Sequence, residues 1–111
     1  MEMALIDINK TPPVLDTGDI IGKRFYSSEA LETVHLKFQS KGHLKAHVTP
    51  VDVVFLVLEG KGEFMIGKDH IVAAKLQAIM SPKDVPHAIT NIGEEALEVL
   101  VLKAPRPGTK K

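Results

Sequence analysis

Short apolar runs, each ended by Gly, Pro, Asn or Asp, recur along most of this chain. That rhythm favours short strands joined by turns, because an amphipathic helix needs a longer segment with apolar residues three and four apart. The clearest run is VVFLVLEG, which ends at Gly60. Its β-branched and aromatic residues, with no polar side chain before Glu59, predict a central strand covered on both faces. GEFMIGKDHIV predicts a hairpin turning at GKD, where Gly67 admits positive φ. ALEVLVLK, MALIDI and IIGKRFY supply further strands.

Two segments carry mixed signals. SSEALETVHLKF offers a serine suited to a helix N-cap, and Leu31, Val34 and Phe38 share a helical face. Val34, Leu36 and Phe38 fit strict alternation equally well. IVAAKLQAIM is rich in helix formers, yet its length between a turn and Ser-Pro suits two short strands. A lone helix would interrupt a series of strands, so both segments are expected to be β. The expected fold is all-β, a small antiparallel barrel or jelly roll.

The 111 residues suffice for one domain. Residues 1–111 are expected to form it, with a core over about 20–103, an extended Pro-interrupted lead-in over 1–19 and a flexible tail over 104–111. Fourteen basic and fourteen acidic residues cancel. Neither GKR at 22–24 nor the terminal KAPRPGTKK makes the basic patch that nucleic-acid binding requires, so no nucleic-acid partner is expected. The absence of cysteine excludes disulfides, iron–sulfur clusters and thiolate zinc sites. MEMALIDINK has an acidic second residue and too short an apolar run for a signal peptide. The longest apolar run falls far short of the roughly 20 residues of a membrane span. A soluble cytoplasmic protein with no membrane partner is therefore expected.

Five histidines could carry chemistry. His35 alternates against Val34, Leu36 and Phe38 and should face the other side of that strand. His70 follows the GKD turn as an exposed hairpin residue, and His43 sits beside Gly42 in a loop. His47 differs because it leads into the most apolar strand. His87 differs because two prolines in SPKDVPHAITN hold the backbone extended just ahead of it. Two imidazoles that converge from neighbouring strands can bind a divalent transition metal.

The stretch GHLKAHVTPVDVVFLVLEG resembles the first motif of the cupins, G-x5-H-x-H-x3,4-E-x6-G, and SPKDVPHAITN resembles the second, G-x5-P-x-G-x2-H-x3-N. Gly42, His47, Gly60, Pro82, His87 and Asn91 carry the match. The resemblance implies a small antiparallel jelly-roll barrel, often a dimer, with any metal held inside the cup. The departures concern the ligands. Thr49 stands where the second histidine of the first motif belongs, and Val53 where its glutamate belongs. Gly42 is one residue closer to His47 than the motif asks. Leu76 and Asp84 replace both glycines of the second motif.

Of the four ligand positions implied by the resemblance, His47 and His87 remain. Thr49 should point into the cup beside His47, since residues two apart on a strand share a face. Its hydroxyl is a poor ligand and Val53 offers no donor, so two imidazoles would hold a divalent transition metal only weakly. A third ligand could come from Asp52, if a β-bulge turned it inward, or from Asp84 in its loop. Losing a carboxylate at Val53 is consistent with losing the ion, because an unpaired buried carboxylate is costly.

The expected function is therefore binding of a small molecule in a cup lined by His47, Thr49, Val53, Phe55 and His87, without a complete set of metal ligands. The alternative is a metal-dependent oxygenase or isomerase that uses His47, His87 and a further ligand. A homodimer is expected, with MALIDI adding to a partner's sheet.

Overall fold

The computed structural model describes residues 4–108. Ten strands follow one 3-10 turn at Ile8–Lys10: β1 Leu15–Asp16, β2 Ile20–Ser27, β3 Glu32–Phe38, β4 His43–His47, β5 Val53–Glu59, β6 Lys61–Ile66, β7 Asp69–Ala74, β8 Ala78–Ser81, β9 His87–Asn91 and β10 Leu97–Lys103. They form two antiparallel sheets, ordered β1-β2-β3-β10-β5-β8 and β4-β9-β6-β7. The two faces meet in a jelly-roll-like sandwich around Phe38, Phe55, Phe64, Ile89, Leu97 and Val99.

Both segments with mixed signals are strands. Alternation wins in β3, where Leu36 and Phe38 are buried and Lys37 is exposed. IVAAKLQAIM divides into the end of β7 and the start of β8, separated by a turn at Lys75 and Leu76. The β6–β7 hairpin turns at Gly67 and Lys68, with Gly67 at φ 60°.

Two expectations need correction. β5 is not covered on both faces: Val53, Phe55 and Val57 are buried, whereas Val54, Leu56 and Leu58 are half-buried. In a two-layer sandwich only one face of each strand meets the opposite sheet, and β5 lies next to the edge strand β8. MALIDI supplies no strand among its described residues. The Asp7 carboxylate accepts the Asn9 amide at 3.0 Å and turns the chain into the 3-10 segment.

Backbone conformation places the motifs in register. Among the described residues, the non-glycine positions with positive φ are Lys41 at 66°, Leu76 at 67° and Asp84 at 64°. These are three of the four positions where the cupin motifs ask for glycine, Gly60 being the fourth, and Lys41 is separated from His47 by five residues. Gly42 meets a different demand, since a Cβ there would lie 3.0 Å from the carbonyl oxygens of both Asp19 and Gln39. Gly60 meets both demands: its φ is 86° and a Cβ would lie 2.5 Å from the Ala96 carbonyl oxygen.

Candidate functional site: a histidine pair in the cup

His47 and His87 are direct partners across β4 and β9. The pairing depends on a bulge: Leu44 opposes Ile89 and His47 opposes His87, so β4 carries one residue more than β9 between them. Strict alternation from Leu44 would turn His47 to the opposite face. The extra residue lets both Leu44 and His47 line the same cavity.

The two Nε2 atoms lie 3.1 Å apart, with the rings edge to face. His87 is buried, and its Nδ1 is 2.9 Å from the hydroxyl of Ser81, which is also fully buried. Thr49 Oγ1 stands 3.4 Å from His87 Nε2, and the Phe55 ring meets the imidazole edge-on at 5.2 Å between centroids. Burial lowers the pKa of His87 to about 4, helped by the nearby His47 and Lys103. The ring is therefore neutral at pH 7. His47 is exposed at the mouth, with Nδ1 3.2 Å from the Lys45 carbonyl oxygen.

The pair borders an inner cavity of about 190 Å³, lined by Leu15, Val34, Leu36, Val53 and Val101 and by the charged residues Arg24, Glu32 and Lys103. A wider open hollow of about 590 Å³ also borders His47, Leu44 and Leu15. Of the five cup residues expected from the sequence, His47, Val53 and His87 line the inner cavity. Thr49 and Phe55 are buried against His87 instead.

Sequence reasoning missed Ser81, which orients His87, and the charged group at Arg24, Glu32 and Lys103. Parity along β10 could have located Lys103, which shares the inward face with Val99 and Val101. Asn91, a motif residue, serves the fold. Its amide donates to the carbonyls of Phe38, Gln39 and Glu95 at 3.3, 3.0 and 2.9 Å, and its oxygen accepts the Gly93 amide.

The donor set does not fit the metal that the cupin resemblance implies. Neither candidate third ligand joins the pair. Asp52 Oδ1 accepts the Lys83 amide at 2.9 Å, and Asp84 is an exposed turn residue whose amide donates to the Thr49 carbonyl. Among the described residues no three His, Cys, Asp or Glu side chains converge as a metal cluster would require. Val53, at the glutamate position, has Ser81 on one side and Lys103 on the other. An ammonium beside a vacated carboxylate position disfavours a second cation.

His35 and His43 also have partners: Glu98 at 2.9 Å and the Thr90 hydroxyl at 2.7 Å. His43 lies within β4, not in a loop. His70 is exposed, 3.6 Å from Glu63. Among the described residues no helix is long and apolar enough to cross a membrane.

Solved structures with this architecture include an RmlC-like cupin from Shewanella frigidimarina, with 15% identity, 88% of this chain and 86% of that chain covered, and a TM-score of 0.78. A predicted oxalate decarboxylase from Thermotoga maritima has 14% identity, 93% and 100% coverage and a TM-score of 0.82. The polyketide cyclase RemF from Streptomyces resistomycificus has 12% identity, 96% and 82% coverage and a TM-score of 0.81. At these identities the likeness concerns the fold alone. No curated protein matches the sequence. Residues 34–103, from the middle of β3 to the end of β10, match the sequence model of the cupin domain, and the chain belongs to that family.

Proposed function

We propose that this chain is a small-molecule-binding cupin whose cup works without a complete metal-ligand set. The cavity of about 190 Å³ supports this reading: its walls are mainly aliphatic and its polar groups are few and convergent. A neutral imidazole at His87, fixed by Ser81, can exchange a hydrogen bond with a ligand, and His47 stands at the entrance. The family resemblance favours an enclosed ligand, and the donor set around Val53 argues against an ion as its anchor.

We further propose that the chain self-associates as a homodimer. Leu5 and Ile6 are exposed apolar residues ahead of the 3-10 turn, suited to a partner's surface. Sedimentation should give twice 12.1 kDa at micromolar concentration. A monomer mass would refute that part.

The function is tested by a thermal-shift screen of small amphiphilic compounds on wild type and on Val34→Phe, which narrows the cavity. Compounds that stabilise wild type should lose their effect in the variant. In parallel, the melting temperature should be unchanged by chelator and by added Fe(II), Mn(II), Ni(II) or Zn(II). Hits equally strong in both proteins, or a chelator-induced fall with near-stoichiometric metal, would overturn the reading.

A further inference from the structure

Glu32, Lys103, Val53 and Ser81 stand in one row across β3, β10, β5 and β8. Side chains paired in this way project from the same face, with Cβ atoms about 5 Å apart. Glu32, Lys103 and Val53 all line the inner cavity, and Arg24 of β2 joins them. Lys103 thus brings a cation to the strand beside the position that the family motif gives to a carboxylate.

The charges in this group do not balance. Glu32 serves two cations, with Oε2 3.4 Å from Lys103 Nζ and Oε1 4.0 Å from Arg24 Nη1. Both contacts are long, and one carboxylate against two bases leaves one positive charge in excess. The Lys103 side chain is only 21% exposed and lines the cavity. Among the described residues its three donors have that single contact. A cavity-lining ammonium so poorly paired favours an added anion.

We propose that the cup takes a small organic monocarboxylate, its apolar body against Val34, Leu36 and Val101 and its carboxylate on Lys103 and Arg24. This deepens the small-molecule-binding reading and rests on it. Glu32 is the internal competitor that the ligand partly displaces from the two bases. A cationic ligand would have Glu32 as its partner but would meet two like charges already there. The cavity of about 190 Å³ exceeds the roughly 150 Å³ that accepts benzene. It therefore suits a single ring or a short branched chain bearing the acid group.

The test is calorimetric titration with benzoate, phenylacetate and 4-methylpentanoate, each against its neutral primary amide. At least one acid should bind wild type tenfold or more tightly than its amide. Lys103→Met should abolish that preference while leaving the amide's affinity within about twofold, and Lys103→Arg should retain it. Glu32→Gln, which frees both bases, should tighten the acid several-fold, a gain that a folding defect cannot produce. Acids and amides that bind alike, with Glu32→Gln neutral or weakening, would overturn the anion assignment and leave the cup reading standing. Failure of acids and amides together would overturn both.

Discussion

Ser81 Oγ lies 2.9 Å from Nδ1 of His87, and both side chains are buried. No other hydroxyl reaches that nitrogen among the described residues. Removing the partner of a buried polar atom costs about 1–3 kcal/mol. Ser81→Ala should destabilise the protein by that amount in urea unfolding. In a double-mutant cycle with His87→Phe, the loss from Ser81→Ala should shrink. Strict additivity would show that the two groups do not act as a pair.

The depressed pKa of His87 predicts an acid-sensitive stability. The cause is chiefly burial, then the charges of His47 and Lys103, and the folded value is about 4 against 6.5 for the free side chain. Between those values the unfolded chain binds a proton that the folded chain does not, so stability rises with pH. The contribution is complete above about pH 6.5, falls as pH drops and is fully lost below about 4. Its size is on the order of 3 kcal/mol. Urea unfolding of wild type and His87→Gln at pH 7, 5.5 and 4.5 should give curves whose difference narrows on acidification. Parallel curves would mean that His87 titrates normally in the fold.

Leu76 holds φ 67° and the residue is 73% exposed. A non-glycine residue in the left-handed region costs roughly 1–2 kcal/mol, and glycine returns part of that gain through its unfolded-state entropy. Leu76→Gly should therefore raise stability by about 0.5–1 kcal/mol, while Leu76→Ala, which keeps the Cβ, should not. Equal effects of both substitutions would assign the change to the lost side chain and not to the backbone.

The strand series was legible because alternation and turn residues are local properties. β3 shows this, where the period at Val34, Leu36 and Phe38 outweighed a helix-capping serine. The meeting of His47 and His87 was legible only through motif order, since the bulge in β4 that restores the facing of His47 has no signature in HLKAH. Two further properties were hidden. Ser81 reaches His87 across the turn before β9, and Glu32 meets Lys103 through a strand pairing that joins distant parts of the chain. Such contacts follow from register, which pattern alone leaves open. MALIDI failed as a strand because Asp7 bonds locally, a preference its apolar neighbours conceal.

If Thr49, Val53 and Lys103 are what separate this cup from a metal site, exchanging them should build one. Thr49 already sits 3.4 Å from His87 Nε2, so an imidazole there joins the existing pair. Val53 is buried one strand from both Lys103 and Ser81, so a glutamate there can face the same space. With the lysine present, that carboxylate pairs with the ammonium and is withheld from the ion. Two unit charges about 5 Å apart interact by roughly 3 kcal/mol at an effective dielectric near 20. Thr49→His/Val53→Glu should therefore bind Ni(II) or Zn(II) weakly. Adding Lys103→Met should tighten binding by at least ~tenfold, as read by titration and by a metal-dependent rise in melting temperature. Tight binding in the double variant, with no further gain from the third change, would show that Lys103 has no part in keeping cations out of the cup.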